Sequence, residues 1–189
     1  ITKAGAWKLG ASDVWADIKS GAYTGADDYP ADGISFWDGN AGESKYIFTN
    51  GVDAPQVWNG TGNFAALGGT PPKGRKILYY AGRIVLFWID VSGTESPFRF
   101  QWTGVDDMTD WAGAGAGSQD IPDMYGQILA AERLGGDITV YSHRSIHRIS
   151  YIGGTLVFKN VRSVEGQGAI SGRAVVPIGD LDIHLVAGP

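Results

Sequence analysis

Residues 76–90 read KILYYAGRIVLFWID, two apolar runs joined by an Ala-Gly turn. Neither run alternates polar with apolar residues, as a strand with one wet face does. Both are apolar at successive positions, the pattern of strands covered on both sides. With a short turn between them they form an antiparallel hairpin that needs a neighbour on each face. The layout returns at residues 34–50 (ISFWDGNAGESKYIFTN), 127–143 (QILAAERLGGDITVYSH) and 174–188 (AVVPIGDLDIHLVAG). The turn residues Gly42, Gly82, Gly135 and Asp180 lie 40, 53 and 45 positions apart.

A repeat of that length built from strands is the signature of a β-propeller or a related array of blades. Each hairpin is followed by further strand material. After the first come PQVWNG (55–60) and NFAALGG (63–69), which make one blade of residues 34–69. The second leads through PFRFQWT (97–103) and the acidic VDDMTDW (105–111) to AGAGAGS (112–118), a blade of residues 75–118. The third leads to SIHRISYIGG (145–154) and LVFKNV (156–161), a blade of residues 126–161. Residues 172–189 start another blade, and residues 1–33 are the end of a preceding one with its connection. Within that first stretch, residues 6–10 predict a short strand. Residues 13–20, after Ser12 as cap and before Gly21, predict one brief helix with Val14, Trp15 and Ile18 on one side. The expected fold is all-β: about three and a half four-stranded antiparallel blades in one partial propeller domain, a fragment of a larger ring.

Composition agrees. Hydrophobic residues are 43% and charged residues 19%, which marks a folded chain and excludes a disordered one. Twenty-nine glycines and 12% aromatics favour turns and strands over helices. There is no cysteine, so disulfides, thiolate metal sites and a Cys nucleophile are excluded. No run reaches the ~18 apolar residues of a membrane-spanning helix. The chain opens Ile-Thr-Lys and closes directly after a strand, so both ends read as cuts through a longer polypeptide. Net charge is −5, unevenly spread. Residues 1–70 hold four basic and eight acidic residues (−4), and residues 130–173 hold six basic and three acidic (+3). The basic stretch is too sparse for a nucleic-acid groove and reads as a solvated strand face.

From Pro97 onward the chain resembles a group of bacteriophage virion proteins. SPFRFQWTGVDDMTDW, SQDIPD, ITVYSHRSIHRISYIGG and VEGQGAISGRAVVPIG carry the likeness. In that group a strand P-x-R-x-x-W-(S/T) precedes a D-x-x-D-W loop; a double strand containing S-I and Y-x-G-G and a G-x-x-(A/S) turn follow. The matching positions are Arg99, Trp102, Asp107, Asp110, Trp111, Tyr141, Ser145, Ile146, Tyr151, Gly153, Gly154, Gly166 and Gly168. The likeness covers roughly residues 45–188. Members are similar to tail-nozzle and tail-hub components of short-tailed phages and continue well beyond the position of Gly188. The resemblance implies a non-enzymatic structural protein of the virion, assembled in the bacterial host cytoplasm. Its expected partners are other tail proteins, further copies of itself and complementary fragments of the same polypeptide.

Reactive chemistry finds little support. AGAGAGS lacks the Lys-Ser/Thr ending of a phosphate loop, and Ile121-Pro122 opposes a following helix. His143 and His147 would chelate a metal only on a helix; four positions apart on a strand they are separated by ~13 Å. His184 lies in another blade. Asp106, Asp107 and Asp110 could form a calcium loop or an acid–base pair, but Asp in such loops ordinarily caps turns. Trp37, Trp58, Trp88, Trp102 and Trp111 recur near strand ends, where they either pack blades or stack on sugars. No catalytic, cofactor or metal residue is assigned. Trp58, Arg99, Trp102, Trp111, Ile146 and Tyr151 are read as fold-maintaining. A carbohydrate-binding or glycosidase-type propeller is the alternative.

Overall fold

The computed structural model describes residues 6–10, 13–21, 23–24, 31–179 and 181–184, the last four by backbone alone. The expected cap Ser12 lies outside them. The strands in chain order are β1 (Trp7–Leu9), β2 (Trp15–Asp17), β3 (Asp32–Asp38), β4 (Glu43–Thr49), β5 (Gln56–Trp58) and β6 (Ala65–Ala66). Then follow β7 (Lys73–Tyr80), β8 (Arg83–Val91), β9 (Thr94–Trp102), β10 (Gly117–Asp120) and β11 (Ala130–Leu134). The last are β12 (Asp137–Tyr141), β13 (Ser145–Tyr151), β14 (Phe158–Glu165), β15 (Val175–Ile178) and β16 (Leu181–His184). One 3-10 turn, Gly172–Ala174, precedes β15, and the described residues contain no α-helix.

Three sheets have four strands each, β3–β6, β7–β10 and β11–β14, and in all three the spatial order follows the chain. Where register is defined the pairing is antiparallel. β1–β2 and β15–β16 are separate two-stranded ribbons. The hairpins read from the sequence are β3–β4, β7–β8, β11–β12 and β15–β16. Ile77 faces Leu86 and Leu78 faces Val85 across the second, and both members of each pair are buried. That is the two-sided burial its unbroken apolar runs require.

Residues 13–20 are not helical. Leu9 pairs with Trp15 and Trp7 with Asp17 across a tight turn in which Gly10 N–H donates to Val14 O at 2.9 Å. A helix of eight residues gains too few hydrogen bonds to offset its nucleation. Here Ile18 N–H donates instead to Ala6 O, and Ile18 O accepts from Phe64 N–H, both at 2.7 Å.

The chain divides into two compact units, Ile1–Glu95 with Gln101–Gly117 and Ser96–Phe100 with Ser118–Pro189. In the first, β3 runs alongside β7. Phe36, Ile47, Ile77, Ile84, Leu86 and Ile89 from these two hairpins form one core, which also takes in Leu67, Met108 and Trp111. A second core sets Ala6, Ile18 and Tyr23 against Phe48 and Phe64, with Phe48 edge-on to both Tyr23 and Phe64. In the second unit β11 runs alongside β15, and Ala130, Tyr141, Ile146, Ala169 and Val175 pack together.

Candidate functional site

The acidic loop 105–111 is the densest collection of candidate chemistry, and the Asp107 and Asp110 carboxylates are held by nearby turn groups. Asp107 Oδ1 accepts from Thr109 Oγ1 at 2.7 Å and from Thr109 N–H at 2.9 Å. These two bonds, hydroxyl first, hold its carboxyl below the ordinary range. Asp110 Oδ1 accepts from Gly113 N–H at 2.6 Å, and its carbonyl accepts from Gly104 N–H at 2.8 Å. The loop then ties two hairpin turns together: Asp106 N–H donates to Gly82 O at 2.7 Å, and Asp106 O accepts from Gly39 N–H at 3.1 Å. It crosses so close to Gly69, held at φ +79°, that a β-carbon there would overlap the Thr109 carbonyl. Met108 and Trp111 point down into the core between the two hairpins, Trp111 only 5% exposed. This tryptophan therefore offers no face to a sugar.

The second unit contains a comparable knot. Ser142 and Ser145 are buried with their hydroxyl oxygens 2.8 Å apart, and Ser142 Oγ accepts from Ser145 N–H at 3.0 Å. Ser145 Oγ accepts from Tyr125 N–H, and Ser142 Oγ donates to Tyr125 O. The loop after β14 closes over the same turn: Gly166 N–H donates to Arg144 O and Ala169 N–H to Ser142 O. Tyr141 and Ile146 flank it in the core.

The remaining fold-maintaining candidates are scattered. Trp102 is buried against Gly117. Trp58 is half-buried, donating Nε1–H to Gly62 O at 3.1 Å, with the Lys8 ammonium 5.1 Å from its ring centre. Arg99 makes a two-pronged pair with Asp120, at 2.6 and 2.9 Å, which holds the Asp120 carboxyl below its usual range. Tyr151 packs edge-on to Phe158 but is half exposed. AGAGAGS runs into β10, with Asp110 capping its start.

His143 is exposed in the β12–β13 turn while His147 is fully buried on β13, so the two do not converge. His184 is described by backbone alone. Burial pushes the His147 imidazole below its ordinary pKa, and the nearby Arg162 adds to this. Neither His147 ring nitrogen has a hydrogen bond of good geometry; the Asn160 side chain and the Asp123 charge oppose the downward shift only in part. Among the described residues no three His, Asp or Glu side chains are grouped to hold a metal ion. No helix among them is long and apolar enough to cross a membrane.

Two features escape a reading by motif. Trp88, inside β8, has φ +49°, rare for a bulky residue, although the rungs on either side, Gly74↔Ile89 and Lys76↔Phe87, are intact. The Arg75 guanidinium stacks 3.8 Å from its ring centre, and Glu95 accepts from both Trp88 Nε1–H (2.8 Å) and Arg75 Nη2 (2.7 Å). The other is the bare face of the β1–β2 ribbon, where Trp7, Leu9 and Trp15 are 48, 47 and 62% exposed on one side of the paired strands. So many large exposed apolar side chains on a two-stranded ribbon are unusual.

No family model and no curated protein matches the chain.

Proposed function

We propose that this protein is a non-enzymatic structural component of a bacteriophage virion, of tail, tail-hub or nozzle type. It acts through protein–protein contacts in a symmetric assembly built in the host cytoplasm. Its four-stranded sheets serve as blades of a partial propeller. The observation that carries the reading is the use of the motif residues. Asp107, Asp110 and Trp111 secure one loop across two hairpin turns, and Tyr141, Ser145, Ile146 and Gly166 secure another. Residues spent in this way build a scaffold. The running of β3 beside β7, and of β11 beside β15, supports the blade reading, because successive first strands line the centre of a propeller.

Native mass spectrometry of the isolated protein tests the proposal. Several copies in one defined complex, alone or with other tail proteins, is the expected result. A monomer at every concentration overturns it. The exposed Trp37 on β3 favours a second reading, carbohydrate binding. A glycan-array signal abolished by Trp37→Ala would establish that reading in place of the first.

A further inference from the structure

His147 is fully buried in β13 with both ring nitrogens lacking a hydrogen bond of good geometry, and the groups around it set what a proton there would do. Ser145 and Ile149, on the same face of the strand, are fully buried too. β12 places Val140 opposite His147, and β9 brings Phe100 edge-on to Phe158 on this face; neither carries charge. β14 places Arg162 opposite His147 on the other side, with the Asn160 side chain close by. The other charge acting on the ring is Asp123, in the loop before β11. That loop passes over this part of the sheet, where Tyr125 N–H donates to Ser145 Oγ and Tyr125 O accepts from Ser142 Oγ.

β14 straps the loop down. Arg162 Nη1 donates to Asp123 O at 3.4 Å, and the guanidinium lies 5.5 Å from the Tyr125 ring centre. Arg162 also pairs with Glu165 at 3.4 Å, and Glu165 accepts from Tyr125 Oη at 3.0 Å. The strap is itself weakly held. It is the last strand of its sheet and most of its residues are exposed. Its register slips between the rungs Ile146↔Val164 and His147↔Arg162, which leaves Ser163 outside the ladder. Arg162 is therefore at once the clasp on the loop, the rung beside the slip and the cation opposite His147.

We propose that His147 is a proton-operated latch: charging its ring releases β14 and the loop 121–126 as one local unit while the rest of the protein stays folded. In the closed state a proton on this ring is cut off from water, has no carboxylate bonded to it and stands beside Arg162. Opening the strap moves the ring into water and away from that charge. Local openings of this kind, at a strand edge with few buried contacts, are the cheapest a sheet has. The sign follows from burial, which holds the closed-state pKa below its ordinary value, so the open state binds the proton first. Closure is complete above about pH 6.5, the value of a solvated imidazole, and is lost as pH falls toward the closed-state value. Between pH 7.5 and 5.5 the open population should rise several-fold, up to about tenfold. The latch does not depend on the assembly reading above.

Hydrogen exchange of the whole chain, read by mass spectrometry and divided at each pH by the intrinsic rate, tests the latch. Protection of residues 121–126 and 158–165 is expected to fall several-fold from pH 7.5 to 5.5, while the hairpin of residues 76–90 keeps its protection. His147→Phe, which fills the site and cannot take a proton, is expected to remove the change. No pH response in the strap overturns the proposal, as does a response that survives in His147→Phe. A response shared equally by residues 76–90 also overturns it, because that is unfolding of the whole chain. If His147→Phe does not fold, proton NMR of the wild-type imidazole decides. Titration of the folded ring at or above about pH 6.5 overturns the latch, and titration below it, in step with the loss of strap protection, supports it.

Discussion

The loop 105–111 and the ribbon β1–β2 are built from the same materials and have opposite fates. Each is short, carries tryptophan beside aspartate, and lies outside the long hairpins. Trp111 is buried beneath its loop, whereas Trp7 and Trp15 stand in solvent. The difference lies in what is on either side. The loop crosses two packed hairpins and drops Trp111 between them; the ribbon is packed only through Ala6 and Ile18 at its ends, and all six residues of its strands are exposed. An aromatic residue in this architecture is buried or exposed according to what packs around it, and composition does not distinguish the two.

That contrast can be broken most sharply at the tryptophans. Trp111→Ala is expected to cost about 3–5 kcal/mol in urea unfolding, because a large side chain leaves a packed core. Trp15→Ala should change stability by no more than about 0.5 kcal/mol. Equal losses would erase the distinction. Next in size is Gly69→Ala, which sets a β-carbon against the Thr109 carbonyl at a positive φ and is expected to cost more than about 1 kcal/mol. Removing the cap with Asp110→Ala should cost about 1–2 kcal/mol, with faster amide exchange at Gly113 as the local signature.

A pH titration carries the comparison to the second unit. The folded pKa of His147 lies below that of the unfolded chain, so unfolded molecules bind the proton first. Its contribution is complete above about pH 6.5, the unfolded value, and is lost as pH falls toward the folded value. The melting temperature should therefore drop between pH 7.5 and 5.5, and His147→Phe should flatten that slope. An unchanged slope would show that other groups govern the titration. The smallest effect belongs to Arg99 and Asp120. As a partly exposed pair they should couple by only about 0.2–1 kcal/mol in a double-mutant cycle, less in high salt.

Much of the fold was legible because hairpin signals are local. Two apolar runs around Gly82 or Gly135 specify a strand, a turn and a returning strand within about 15 residues, and each formed. The capping role of Asp107 and Asp110 was equally legible, since Asx-type bonds reach only two or three residues along the chain. The misreading of residues 13–20 came from treating Val14, Trp15 and Ile18 as one helical face. The pairing of Trp15 with Leu9 and the docking of Ile18 beside Ala6 and Phe64 decide that segment. Trp88 and Arg75 show the same limit, because their stack depends on a backbone conformation that neither residue prefers.

The amino-acid sequence by itself determined an all-β chain of repeated hairpins, the central one covered on both faces, without thiol chemistry, because strand period, turn residues and composition act over short distances. Tertiary structure alone decided which tryptophans are core, where the loop 105–111 is anchored, and that one ribbon keeps an apolar face bare. Those outcomes depend on contacts such as Gly69 with Thr109 and Gly39 with Asp106, between residues far apart in the chain. Burial is a property of the surfaces brought together, and a residue's own chemistry does not specify its neighbours.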